Sequence, residues 1–165
     1  MKKIILVLIT ITLVMSCSSE ADNSEKNLDL IEKYVSAVES IDFDAMDLYL
    51  DEKYLGLGPS YGDTINKQQA ITNWKNNVEH LYKKIHYDKS RNAALKITTG
   101  DNQGDWVSNW AELKIDYKGN KGSAIIWANS IYQIENNKII KSYTFYNEAD
   151  VLEQLGYIFF NPIEL

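Results

Sequence analysis

The chain has 165 residues, 23 acidic against 17 basic, a formal net charge of -6 and a single cysteine. A chain of this length forms one ordinary domain with a real core. The charge excludes nucleic acid as a partner: affinity for phosphate backbones comes from clustered Lys and Arg, whereas here Arg91 is the only arginine and the lysines are scattered among acids.

The first element in chain order is a leader, with Lys2 and Lys3 ahead of an apolar run from Ile4 to Met15 and a small residue, Ser16. A secretory signal needs an apolar core of about 7 to 15 residues, and a bilayer span needs about 20, so this run is a signal and not a span. Cys17 follows at once. The stretch Leu13-Val14-Met15-Ser16-Cys17 resembles the lipobox of bacterial lipoproteins, which implies cleavage before Cys17 and a lipid-modified N-terminus there. Removal of residues 1–16 takes away two lysines and no acids, so the mature charge falls from -6 to -8. That balance disfavours electrostatic attachment to anionic lipid and leaves the acyl chains on Cys17 as the membrane contact, in the bacterial cell envelope. Ser18 to Lys26 is polar and without periodicity. Residues 17–26 therefore read as a flexible tether and residues 27–165 as the domain.

Within the domain, Ile31, Tyr34, Val35, Val38 and Ile41 recur at helical spacing, and Asp42 starts a second, short helix through Phe43, Met46 and Tyr49. A brief extended piece from Tyr54 to Leu57 and the turn-rich residues 58–63 lead to a third helix carrying Ile71, Trp74, Val78, Leu81 and Ile85. After that the pattern is all strand: about His86–Thr98, Asp105–Tyr117, Ser123–Glu135 and Lys138–Asn147, with Asn136-Asn137 forming a hairpin turn. A last short helix runs from Asp150 to Leu155. Helices first and a long meander afterwards predict an α+β fold with the helices on one face of a curved sheet.

Carried forward from the Asn-Asn turn, with Ile134 opposite Ile139, strict alternation puts Trp127, Asn129, Ile131, Ser142, Thr144 and Tyr146 on one face, joined by Trp106, Ser108, Trp110 and Glu112. This is the expected pocket face. Val107, Ala111, Leu113, Ile126, Tyr132, Ile139, Tyr143 and Phe145 then fall on the other. Both faces are largely apolar, so both need a cover. For the face with Leu113, Ile126, Tyr132, Tyr143 and Phe145 the expected cover is a second copy of the chain in a two-fold dimer. The competing cover is the tail Tyr157-Ile158-Phe159-Phe160.

The element order, together with Tyr34, Asp42, Ala45, Gly58-Pro59 and the closing strings Asn137-Lys138-Ile139, Tyr146-Asn147-Glu148-Ala149 and Gln154-Leu155-Gly156, resembles the nuclear transport factor 2-like superfamily in its SnoaL-like and ketosteroid-isomerase-like members. The resemblance implies a cone-shaped α+β fold with three N-terminal helices on a mainly antiparallel sheet, and a pocket between them. Isomerase chemistry of that kind needs an Asp base, a Tyr and a protonated Asp. By resemblance the Tyr falls on Tyr34, the protonated Asp on Asn129 and the base on Gly58, which can abstract nothing. Asp63, Glu112, His80 and His86 remain as possible bases, each with a plainer role as turn, strand-end or solvated residue. No His, Asp or Glu pair stands at metal-ligand spacing, and no phosphate loop or nucleophile elbow is present, so no metal or cofactor is expected.

The function expected from these residues is a lipid-anchored binder of a small, mostly apolar molecule, held by Tyr34, Trp74, Trp110, Trp127, Asn129, Thr144 and Tyr146, with no catalytic residue. Two other classes stay open: an isomerase, cyclase or dehydratase with a relocated carboxylate base, and an envelope protein-protein interaction module.

Overall fold

The computed structural model describes residues 23–161 and 163. Cys17, the leader and most of the expected tether lie outside the described residues. Helix α1 spans Ser24–Ser40, so Ser24, Glu25 and Lys26, read from the sequence as tether, belong to its first turn. Its buried residues Asn27, Leu30, Ile31, Tyr34, Val35 and Val38 form a stripe at spacings of three and four, which turns one face of the helix onto the sheet. The helix stops at Ile41, in the left-handed region at φ 59, whose N–H returns to the carbonyls of Ala37 and Val38. Asp42 then caps α2 (Phe43–Tyr49), its side chain accepting the Ala45 N–H at 2.9 Å.

Strand β1 (Leu50–Leu57) and the short β2 (Thr64–Asn66) precede α3 (Lys67–His80). A reciprocal cap fixes the start of α3: Asn66 accepts the Gln69 N–H and Gln69 accepts the Asn66 N–H, both at 2.9 Å. The helix ends before Ile85, which the sequence spacing assigned to it. Ile85 lies instead in β3 (Tyr82–Ile97), paired with Ile115 and only 1 % exposed. Strands β4 (Gly104–Tyr117), β5 (Ser123–Glu135) and β6 (Lys138–Tyr146) follow, and α4 (Glu148–Gln154) ends the domain.

The six strands form one sheet in the order β2-β1-β6-β5-β4-β3, antiparallel except for the parallel pair β1 and β6. The helix-covered face carries Val107, Tyr132, Ile134 and Ile139, packed against the buried stripe of α1. Helix α4 closes the far end, where Val151 packs on Ala124 and Ile126. The Gln154 side chain holds it there through two hydrogen bonds to the Ile125 backbone, each 2.9 Å. No helix among the described residues is long and apolar enough to cross a membrane.

The register at the β5–β6 turn is as expected, with Asn136 and Asn137 both left-handed and Ile134 opposite Ile139. One pair further on, Gln133 lies opposite Lys141, so Ile140 is an extra residue on β6 and forms a bulge. Beyond it the pairs are Tyr132 with Ser142, Ser130 with Thr144 and Ala128 with Tyr146. A one-residue offset exchanges the faces of one strand relative to its neighbour. The helix-covered face therefore carries Leu113, Ile126, Ala128, Ser130 and Tyr132 along with Ser142, Thr144 and Tyr146. Trp110, Trp127 and Asn129 lie on the outer face with Tyr143 and Phe145. This corrects both the pocket face and the dimer patch expected from unbroken alternation.

Candidate functional site

Between α1, α3, α4 and the helix-covered face of the sheet lies a cavity of about 480 Å³, within the size range of small-molecule sites. Its walls are largely hydrocarbon, from Val38 on α1, Ala70 on α3, Ile85 on β3 and Leu113 and Ile126 on the sheet. Polar groups reach it at chosen points. Tyr34 on α1, Tyr54 on β1, Tyr87 on β3 and Tyr132 on β5 converge on the buried end, with the Tyr34 and Tyr132 rings edge to face at 5.7 Å. The Tyr54 hydroxyl is shared with Ser142 Oγ at 2.7 Å, and Ser130 Oγ with Thr144 Oγ1 at 3.0 Å.

Burial pushes the phenols of Tyr34, Tyr87 and Tyr132 well above the ordinary tyrosine value, and the neighbouring tyrosines add to the shift for Tyr34. They are therefore neutral donors near pH 7 and not bases. No described residue bonds to the Tyr34 or Tyr87 hydroxyl, yet no buried polar side-chain atom among the described residues is left without a partner. Both hydroxyls consequently open on the cavity and are free for a ligand oxygen. Asn109, only 2 % exposed, spends its amide hydrogens on Ser90 Oγ at 2.8 Å and Asn92 Oδ1 at 2.9 Å, which leaves its side-chain oxygen Oδ1 as an acceptor in the lining.

Among the described residues, the charged side chains in the lining are Glu148 and Lys121, both exposed. The bases considered from the sequence are elsewhere. Glu112 points to the outer face and pairs with Lys89 at 2.7 Å; His86 Nδ1 pairs with Glu39 Oε1 beside α1; His80 stands 3.8 Å from Glu79; Asp63 is an exposed loop residue. Gly58 does line the cavity, but at φ +93 a side chain there is strained, and its Cβ would lie 2.5 Å from the Thr144 carbonyl oxygen. The described residues contain no group of three His, Cys, Asp or Glu placed to hold a metal ion.

Of the residues singled out from the sequence, Tyr34, Trp74, Thr144 and Tyr146 line the cavity. Trp110, Trp127 and Asn129 do not. The bulge at Ile140 places them on the outer face, where the Asn129 amide donates to Ser108 Oγ and the Asn109 carbonyl, both at 3.0 Å. Sequence reasoning missed Tyr54, Tyr82, Tyr87, Tyr117 and Ser130, and assigned Tyr132 to the wrong face. The usable signal was the period-two recurrence of polar-tipped residues in Ala128-Ser130-Tyr132, which matches Ser142-Thr144-Tyr146 once the bulge is allowed for.

No family model and no curated protein matches the sequence. The order of elements, the wrapped sheet and the cavity between helices and sheet define the cone-shaped α+β nuclear transport factor 2-like fold. Solved structures similar to the chain include a provisionally named polyketide cyclase from Xanthomonas campestris, with TM-score 0.66, 13% identity, and 81% of this chain and 99% of that one covered. A nuclear transport factor 2-like protein from Anabaena variabilis aligns with TM-score 0.62 at 11% identity, over 82% and 98% of the two chains. An epoxide hydrolase-like protein from M. tuberculosis aligns with TM-score 0.58 at 11% identity, over 81% and 91%.

Proposed function

We propose that the protein is a lipid-anchored envelope protein whose cavity binds a small, mostly apolar molecule without turning it over. One observation carries the reading: the cavity offers hydrocarbon walls and neutral hydroxyls at its buried end, while the place where isomerase-type relatives would carry a base is Gly58, where any Cβ would lie 2.5 Å from the Thr144 carbonyl oxygen. Proton abstraction needs a group whose pKa lies near the working pH and within reach of the substrate, and tyrosines held far above neutrality do not supply one. Tyr34 and Tyr87 would donate to a ligand oxygen and Trp74 would pack against the ligand. Similar structures named for a polyketide and for an epoxide are in keeping with a small organic occupant at this place.

The test pairs turnover with binding. A model β,γ-unsaturated ketosteroid should isomerise no faster than background, while apolar molecules quench tryptophan fluorescence in the parent and less so in Trp74→Leu. Turnover that disappears in Glu148→Gln, the one acid of the lining, would overturn the non-catalytic reading. The anchor is checked separately by the intact mass of membrane-extracted protein, which should show acylated Cys17 at the N-terminus; an unmodified N-terminus removes it.

A further inference from the structure

The half-buried end of the cavity is a box of aromatic rings. Trp74 on α3 and Tyr82 on β3 stand 6.3 Å apart with their planes at 60°, and Tyr82 and Tyr117 on β4 stand 5.6 Å apart at 77°. Tyr146 on β6 adds a fourth ring to the same lining. In a tilted or edge-to-face pair one ring offers its face and the other its edge, so these pairs do not close both faces as a parallel stack would.

Glu148 lines the same end, one residue past the Asn147 cap of α4. Burial first, and then the charge of Glu148, raise the phenols of Tyr82 and Tyr146; Tyr117 rises through burial, then Tyr82, then Glu148. The carboxylate and the three rings line the same cavity. It makes no ion pair or hydrogen bond with any described residue, and Lys121, the one basic side chain of the lining, is exposed and pairs with no acid among them. A carboxylate without a partner, lining the same end of the cavity as four aromatic rings, favours positive charge there.

We propose that this box takes the head of an organic ammonium ion whose apolar body runs inward toward Tyr34 and Tyr132. The inference rests on the binding role proposed for the cavity and names the chemistry of its ligand. A bare metal ion does not suit the box, because one carboxylate and a few phenols supply too few oxygens to replace its hydration shell. An alkylated ammonium is weakly hydrated, presents methyl or methylene groups to the rings and needs only one counter-charge. A carboxylate ligand would meet Glu148 head on.

Calorimetric titration of the intact protein with octyltrimethylammonium, octanol and octanoate tests it, since the three probes share a chain and differ in head-group charge. Octyltrimethylammonium is expected to bind about tenfold tighter than octanol, and octanoate more weakly than either. Glu148→Gln should remove most of that preference while leaving octanol binding as it was, and Trp74→Leu should weaken the cation more than the alcohol. Glu32→Gln, an exposed charge on α1, is the control for the general pull of a net negative protein and should change nothing. Equal affinity for all three probes, or a preference that falls as much in Glu32→Gln as in Glu148→Gln, overturns the ammonium site and leaves the cavity a binder of neutral molecules. Binding of none of the three overturns the cavity reading itself, and the box with it.

Discussion

Gly58 decides whether the cavity can carry a base at this place in its lining. With φ at +93 and the Thr144 carbonyl oxygen 2.5 Å from the place of a Cβ, no side chain fits without moving the backbone of β6. Gly58→Asp is therefore expected to lose about 1–3 kcal/mol of stability and to gain no isomerase activity. A variant as stable as the parent in urea would show that the backbone yields there and that the position is open to a base. The tyrosines impose a second constraint, on pH. An unfolded tyrosine ionises near pH 10, whereas Tyr117 and Tyr146 are pushed up to about 12 by burial, with Tyr82 and Glu148 adding to the shift. Burial raises Tyr34, Tyr87 and Tyr132 as well. Above pH of about 10 the unfolded chain releases these protons before the folded one does. The stability contributed by keeping the phenols neutral is thus complete below that pH and is lost as pH rises through the folded values. Tyrosinate absorbance should rise in stages, the last coinciding with loss of near-ultraviolet circular dichroism. One smooth titration of all 11 tyrosines with the fold intact would refute the assignment.

Among the elements, α3 supplies the Trp74 wall, and its start depends on the reciprocal bonds between Asn66 and Gln69. Replacing Asn66 by alanine leaves the first-turn N–H of Gln69 without its acceptor and should cost about 1 kcal/mol, read as a shift of the urea midpoint without a change of slope. No shift would mean that water serves the cap equally well. The Asp42 cap lies where the sequence is explicit, and so do the ends of β5 and the Asn-Asn turn, because capping side chains and paired left-handed residues are local chemistry. The bulge was not legible. Ile139 and Ile140 are both apolar, so alternation alone does not say which of them turns inward; in the structure Ile139 is fully buried in the core and Ile140 is not. That one residue carried Trp110, Trp127 and Asn129 out of the expected site and brought Tyr132 into it. Ile85 failed for a related reason: it stands at helical spacing from Leu81 and at strand spacing from Tyr87, and its pairing with Ile115 resolves the ambiguity.

At the scale of the whole molecule the unanswered demand is the outer face of the sheet. Trp110, Asn129 and Phe145 lie in one row across β4, β5 and β6, and Trp106, Tyr143 and Phe145 stack in sequence at 6.1 and 6.5 Å. Trp127 is 65% and Phe145 52% exposed, with Leu95, Trp110 and Ile125 exposed around them. The tail does not cover them: residues 157–160 are themselves exposed, and Tyr157 lines the cavity on the opposite side of the sheet. A contiguous apolar surface beyond a few hundred Å² is unusual on a monomer, and a row of residues running across a sheet can meet its own copy about a two-fold axis. We therefore propose a homodimer through this outer face, in place of the patch containing Leu113, Ile126 and Tyr132, which the helices already bury. Such an interface leaves the cavity mouths of both subunits free, so ligand affinity should not depend on protein concentration. Sedimentation of the domain lacking residues 1–22 should give a dimer at micromolar concentration, and Trp127→Lys should convert it to a monomer with unchanged circular dichroism. A parent domain that sediments as a monodisperse monomer at that concentration would exclude the dimer.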